Sequence, residues 1–80
     1  MIIHDEMVAP DWVVQAALKQ LELRLQDQLG GRVRNLRLVM RDDGIILQGI
    51  ARTYYAKQLA QHSVMRQTDL PILVNEIEVA

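Results

Sequence analysis

Apolar residues recur at three- and four-residue steps through Val14, Ala17, Leu18, Leu21, Leu25 and Leu29, the single stripe of an amphipathic helix. Asp11, following Pro10, stands where an N-cap is expected, with the helix running from Trp12. Gly30-Gly31 closes it, because the residue after a helix favours positive φ. Trp12 and Leu23 lie off the stripe. The period then changes to two. Leu36, Leu38 and Met40 alternate with Asn35, Arg37, Val39 and Arg41, which predicts a half-buried strand over 32–41 with a basic, partly apolar outer face. Asp42-Asp43-Gly44 is a tight-turn signal, with glycine expected to take the positive φ and aspartate to tolerate it. Ile45, Leu47, Gly49 and Ala51 alternate with Ile46, Gln48 and Ile50, a strand that such a short turn returns antiparallel.

Thr53 is placed to cap a second helix over about 54–67. Its inner face reads Ala56, Leu59, Ala60, Ser63 and Val64, small enough to lie close to a sheet. Asp69-Leu70-Pro71 ends it, since proline cannot continue a helix. Leu73, Asn75, Ile77 and Val79 then alternate with Val74, Glu76 and Glu78 as a third strand. The predicted class is α+β with element order αββαβ: a three-stranded mixed sheet and two helices packed on one face, because each helix has one stripe to bury. The crossover through the second helix is expected to be right-handed, and the third strand to lie beside the first, antiparallel to it. Residues 1–10 have no period and read as a flexible arm, leaving 11–80 as the domain.

Eighty residues allow one domain, and a chain of that size buries only about 60% of its unfolded surface, so association with a partner would help it. Half the residues are hydrophobic, yet the aromatics are only Trp12, Tyr54 and Tyr55, so the core must be aliphatic. Nine basic residues against ten acidic give a net charge of −1, which weighs against nucleic acid as a partner, since that needs a concentrated positive face. The absence of cysteine excludes disulfides and thiolate metal sites. No uninterrupted apolar run is longer than Ile45-Ile46-Leu47, far below the ~20 residues of a membrane span. His4, Asp5 and Glu6 stand where a signal peptide would be basic and then apolar. The expectation is a cytoplasmic protein.

Together Asp43-Gly44, Leu47 and Gly49, the helix from Thr53 with Ala56 and Ala60, and the closing Val74-Asn75-Glu76-Ile77-Glu78-Val79 resemble the BON-domain family, named for bacterial osmotic-stress and nodulation proteins. The likeness covers roughly residues 14–79 and rests on the order and spacing of these features. It implies a non-enzymatic binding module that attaches to phospholipid surfaces or to other proteins.

The candidate chemical groups have plainer readings. His4, Asp5 and Glu6 could ligate a metal only at a large ordering cost, and read as a solvated terminus. His62 reads as a surface residue. Asp42 and Asp43, adjacent in a turn, point apart into water and read as turn formers, not as a catalytic pair. Ser63 faces the predicted core outside any nucleophile motif. Gly30-Gly31 closes a helix instead of opening one, so it is no phosphate loop. It also lacks the Gly-x-x-Gly clamp of KH domains, which the helix-strand-strand opening resembles. Tyr54-Tyr55 offer a stacking surface, although one tyrosine is expected to wedge against the sheet edge. No catalytic residue, metal or cofactor is expected.

The informative surface is the sheet face that the helices leave uncovered. It is predicted to carry Arg37, Val39, Arg41, Ile46, Gln48, Ile50, Val74, Glu76 and Glu78. Its β-branched apolar residues exceed what solvation needs, which points to a contact site. Its arginines lie on the first strand and its glutamates on the third, a layout suited to self-association. The expected function is protein contact or self-association through this face. The alternatives are a phospholipid-surface module and, from a different class, single-stranded nucleic-acid binding on a KH-like scaffold.

Overall fold

The computed structural model describes residues 10–80; the expected arm and its His4, Asp5 and Glu6 lie outside the described residues, Pro10 excepted. Helix α1 spans Asp11–Leu29, followed by a single 3-10 turn over Gly30–Arg32. Strand β1 spans Val33–Arg41 and β2 spans Gly44–Ala51. Helix α2 spans Tyr54–Gln67, β3 spans Ile72–Asn75 and β4 spans Glu78–Val79. The protein is an α+β fold, two helices on a mixed sheet.

Both helices pack on one side of the sheet, although Ala17 of the stripe expected in α1 is exposed and Val14 is only half-buried. Leu18, Leu21, Leu25 and Leu29 of α1 and Ala56, Ala60 and Val64 of α2 join Val33, Leu36, Leu38, Ile45, Leu47, Ala51 and Ile77 in one aliphatic core. Alanine at two of the three buried α2 positions lets that helix approach closely. Gly30 caps α1 at φ 59, in the left-handed region expected of it. Thr53 caps α2, its hydroxyl accepting from the Ala56 amide at 3.0 Å. At the start of α1 the cap position is Pro10, not Asp11, and no side chain caps it. Asp11 is instead the first helical residue, where a carboxylate favours the positive end of the helix dipole.

The third strand departs from expectation. It lies beside β2, parallel to it, with Ile46 opposite Val74 and Leu47 opposite Asn75. The sheet is mixed for that reason; a third strand beside β1 would have left every pair antiparallel. Beside β1 the space is taken. Gln26 of α1 donates to Val33 O at 2.6 Å and accepts from Leu36 N at 3.0 Å, and Glu22 accepts from Leu38 N at 3.0 Å. These side chains fill the backbone positions a neighbouring strand would use.

The strand is also broken in two. Asn75 accepts from the Ile77 amide through Oδ1 at 3.1 Å, and through Nδ2 donates to Lys57 O and Gln61 Oε1, each at 3.2 Å. Asn75 thereby bends the chain between β3 and β4 and ties the bend to α2. β4 then resumes along the same edge of β2, with Ile50 opposite Glu78 and Ala51 opposite Val79. A register shift at the start of β3 leaves Leu73 46% exposed, while Ile72 packs on the core in the place expected for Leu73.

The hairpin also differs in detail. Its loop is Asp42-Asp43, with Arg41 opposite Gly44, and Asp42 takes the positive φ at 55°. Gly44 is already in the strand. A Cβ there would come within 2.5 Å of the Leu73 side chain and 2.9 Å of Pro71 O, so the glycine permits β3 to approach. Across the hairpin, Arg34 opposes Ile50 and Arg37 opposes Gln48. Asn35 and Leu36 therefore share one partner position, a β-bulge in which Asn35 takes φ 57.

Candidate functional site on the open sheet face

Residues paired across a sheet project to the same side, so the register fixes the face opposite the helices. One row is Val39, Ile46 and Val74. The next holds Arg37 and Gln48, with Glu76 joined by a hydrogen bond from Gln48 Nε2 to Glu76 Oε1 at 3.2 Å. A third is Arg34, Ile50 and Glu78. Arg41 lies at the hairpin end of β1, opposite Gly44. Register and alternation put eight of the nine residues expected on this face there, and Glu76, between β3 and β4, is tied to it by the bond from Gln48.

Arg34 is the addition. Strict alternation would put Asn35 on the open face and turn Arg34 inward. The bulge inserts one residue, so Arg34 and Arg37, three apart, face the same way. The signal was present in the spacing of Val33, Leu36 and Leu38. A step of three before a step of two marks an extra residue, and asparagine is among the few that accept positive φ.

Burial revises the apolar content. Ile46 is 2% exposed even though neither α1 nor α2 covers its side, whereas Val74 is 42% exposed and Val39 and Ile50 are half-buried. Ile46 sits in the middle strand between two valines. It fills the sheet surface and has little left to offer a partner. The apolar area available for contact belongs to Val39, Ile50, Val74 and Leu73, whose exposed side chain lies over Gly44 on the same side of the sheet.

The charges are segregated by strand. Arg34, Arg37 and Arg41 stand on β1; Glu76 and Glu78 stand on the opposite margin. Arg37 Nε lies 3.9 Å from Glu22 Oε2, around the edge of β1. Among the described residues neither Arg34 nor Glu78 enters an ion pair. The face thus presents a positive margin, a central column of Ile46, Gln48 and Ile50, and a negative margin. Guanidinium, carboxylate and amide groups equip it for recognition by charge and apolar contact; it carries no hydroxyl, thiol or imidazole.

The other candidates are dispersed. His62, Asp42 and Asp43 are exposed. Tyr54 and Tyr55 are both exposed, so neither wedges against the sheet; the Tyr54 hydroxyl accepts from Gln58 Nε2 at 2.7 Å. Among the described residues no group of three or more His, Cys, Asp or Glu could hold a metal ion, and no helix is long and apolar enough to cross a membrane. A groove where the start of α1 overhangs the end of α2 is lined by Val13, Val14, Ala17, Leu21 and Leu70, with Arg24 at its border. Comparison with known proteins finds no matching family model, curated protein or solved structure.

Proposed function

We propose that this chain is a small cytoplasmic, non-enzymatic interaction module that holds a protein partner on the open face of its sheet. The observation that carries the reading is the contrast between the sheet's edges and its face. The β1 edge is occupied by Glu22 and Gln26, which bond Leu38 N, Leu36 N and Val33 O. The other edge is interrupted by the register shift at Leu73 and the bend at Asn75, features that discourage strand addition. Both routes for pairing by backbone are obstructed. Among the described residues nothing covers the face between them, which is partly apolar and charged at both margins, as contact surfaces are. The resemblance of Asp43-Gly44, Gly49, the helix from Thr53 and the closing Val74-Asn75 stretch to the BON-domain family implies a binding module as well.

The test is Ile50→Glu, which puts a charge between Arg34 and Glu78 without touching the core. Circular dichroism should match wild type. Sedimentation of the pure chains and cross-linking in a native extract should both lose the wild-type complexes. A folded variant that keeps the same mass and the same cross-linked partners would make the face a plain sheet surface.

A further inference from the structure

The apolar groove under the first turns of α1, the exposed Tyr54-Tyr55 pair and the buried Glu22 lie outside the proposed contact. Nothing in the structure shows what covers the groove. The tyrosines have no second feature pointing to a ligand. Glu22 is already engaged by Leu38 N and Lys19 Nζ. The open face carries an inference further, because its charges select an orientation.

We infer that the partner on the open face is a second copy of this chain, docked face to face about a two-fold axis parallel to β2. The inference rests on the sheet-face reading and specifies it. Two copies can meet symmetrically with the axis along the strands or across them. An axis across the strands lays β1 on β1 and stacks Arg34, Arg37 and Arg41 against the same arginines. An axis along β2 exchanges the margins, so β1 of one copy lies over β3 and β4 of the other. Arg34 then meets Glu78 of the second copy, and Arg37 meets its Glu76. Each happens twice, because such an interface is isologous.

The register makes the charge match in the rows of Arg34 and Arg37, whereas Arg41, opposite Gly44, meets no carboxylate of the second copy. Rotation about β2 returns every row to its own level with left and right reversed. Arg34, Ile50, Glu78 falls on Glu78, Ile50, Arg34, and Val39, Ile46, Val74 falls on Val74, Ile46, Val39. Ile50 meets Ile50 and Gln48 meets Gln48 on the axis. Sheets stacked this way sit about 10 Å apart with strands within about 30° of each other, the spacing at which side chains of opposing faces meet. The bulge at Asn35 is what brings Arg34 into the pattern; without it Ile50 and Glu78 would face no positive group at that level.

The face is small. Three strands about 4.8 Å apart and about eight residues long give roughly 350 Å² per copy, below the roughly 800 Å² per partner of a standard stable interface. The dimer is therefore a weak, reversible one, populated at high concentration, and its orientation is set by charge.

Charge exchange tests it. Arg34→Glu alone puts glutamate against Glu78 of the second copy, and Glu78→Arg alone puts arginine against Arg34. Each should raise the dimer dissociation constant by about tenfold or more. An equimolar mixture of the two variants restores both pairs in a heterodimer, which should form about as tightly as the wild-type dimer. The measurement is sedimentation over a concentration series up to the solubility limit, with circular dichroism on every chain. Should either reversal unfold the chain, Arg34→Gln and Glu78→Gln replace them, and wild type must then show a salt-weakened dimer whose salt dependence the neutral variants lose. A mixture no tighter than its components overturns the arrangement, as does tightening by Arg34→Glu alone. If Ile50→Glu still abolishes the contact in those cases, the sheet-face reading stands and only the orientation fails. Wild type that stays monomeric throughout overturns the second copy as partner, and cross-linking of Ile50→Glu in extract then decides the sheet-face reading by itself.

Discussion

Gly49 sits where one residue on β2 faces two on β1. Its φ is 154°, and a Cβ there would lie 3.1 Å from Arg34 O and 3.3 Å from Leu36 Cα. The neighbours that forbid a side chain are the backbone of the bulge, not the helices that strand alternation points to. Backbone cannot turn aside as a flexible side chain can. Gly49→Val should therefore destabilise by about 1–3 kcal/mol from strain and overpacking, seen as a lower midpoint in thermal melts. Because the bulge also aims Arg34, the variant should weaken the open-face contact even where it remains folded. Thr53→Ala, which removes the acceptor for Ala56 N, should cost about 1 kcal/mol in the same assay and leave the sheet face untouched.

At the scale of elements, the decisive relation is between α1 and β1. The β1 edge of the hairpin is occupied by side chains of α1, and the third strand lies on the other edge. Glu22 and Gln26 lie four apart on α1, flanking its apolar stripe, and reach the outward backbone groups of β1. Glu22 is 8% exposed and keeps Lys19 at 3.4 Å and Arg37 at 3.9 Å. Its carboxylate is thus hydrogen-bonded and paired, the condition under which buried charge is tolerated. Glu22→Ala should leave Leu38 N without a partner, at roughly 1–3 kcal/mol. Native-state hydrogen exchange should report it, with the Leu38 amide exchanging faster while amides of β2 are slowed or sped only by the global change. An unchanged Leu38 rate would mean that water replaces the carboxylate at no cost. The same opening of the edge should raise the tendency to associate by strand pairing.

For the whole molecule, charge decides among partners. The net charge is −1, and the arginines of the open face are answered by Glu76 and Glu78 on the same face. A membrane surface would meet both margins at once. Flotation with anionic vesicles should show weak binding that moderate salt removes; tight, salt-resistant association would favour the phospholipid reading. Single-stranded nucleic acid should bind no better than vesicles, because the arginines of β1 share their face with Glu76 and Glu78 and the net charge is −1.

Local chemistry was legible along the chain. The 3.6-residue stripe of α1, the cap at Thr53, the helix stop at Gly30 and the two-residue alternation of β2 each depend on side chains a few positions apart, and each stands where the sequence puts it. The open face was legible for the same reason, since a period of two assigns sides without reference to anything distant. What only the tertiary structure decided involves groups far apart in sequence. Glu22 meets Leu38, Gln26 meets Val33 and Leu36, and Asn75 meets Lys57 and Gln61, and no local pattern encodes such pairs. Those contacts closed one edge, sent the third strand to the other and bent it at Asn75. The bulge at Asn35 lies between the two cases. Its signature is in the spacing of Val33, Leu36 and Leu38, but only pairing with Gly49 makes one extra residue into a turn of Arg34 toward the open face.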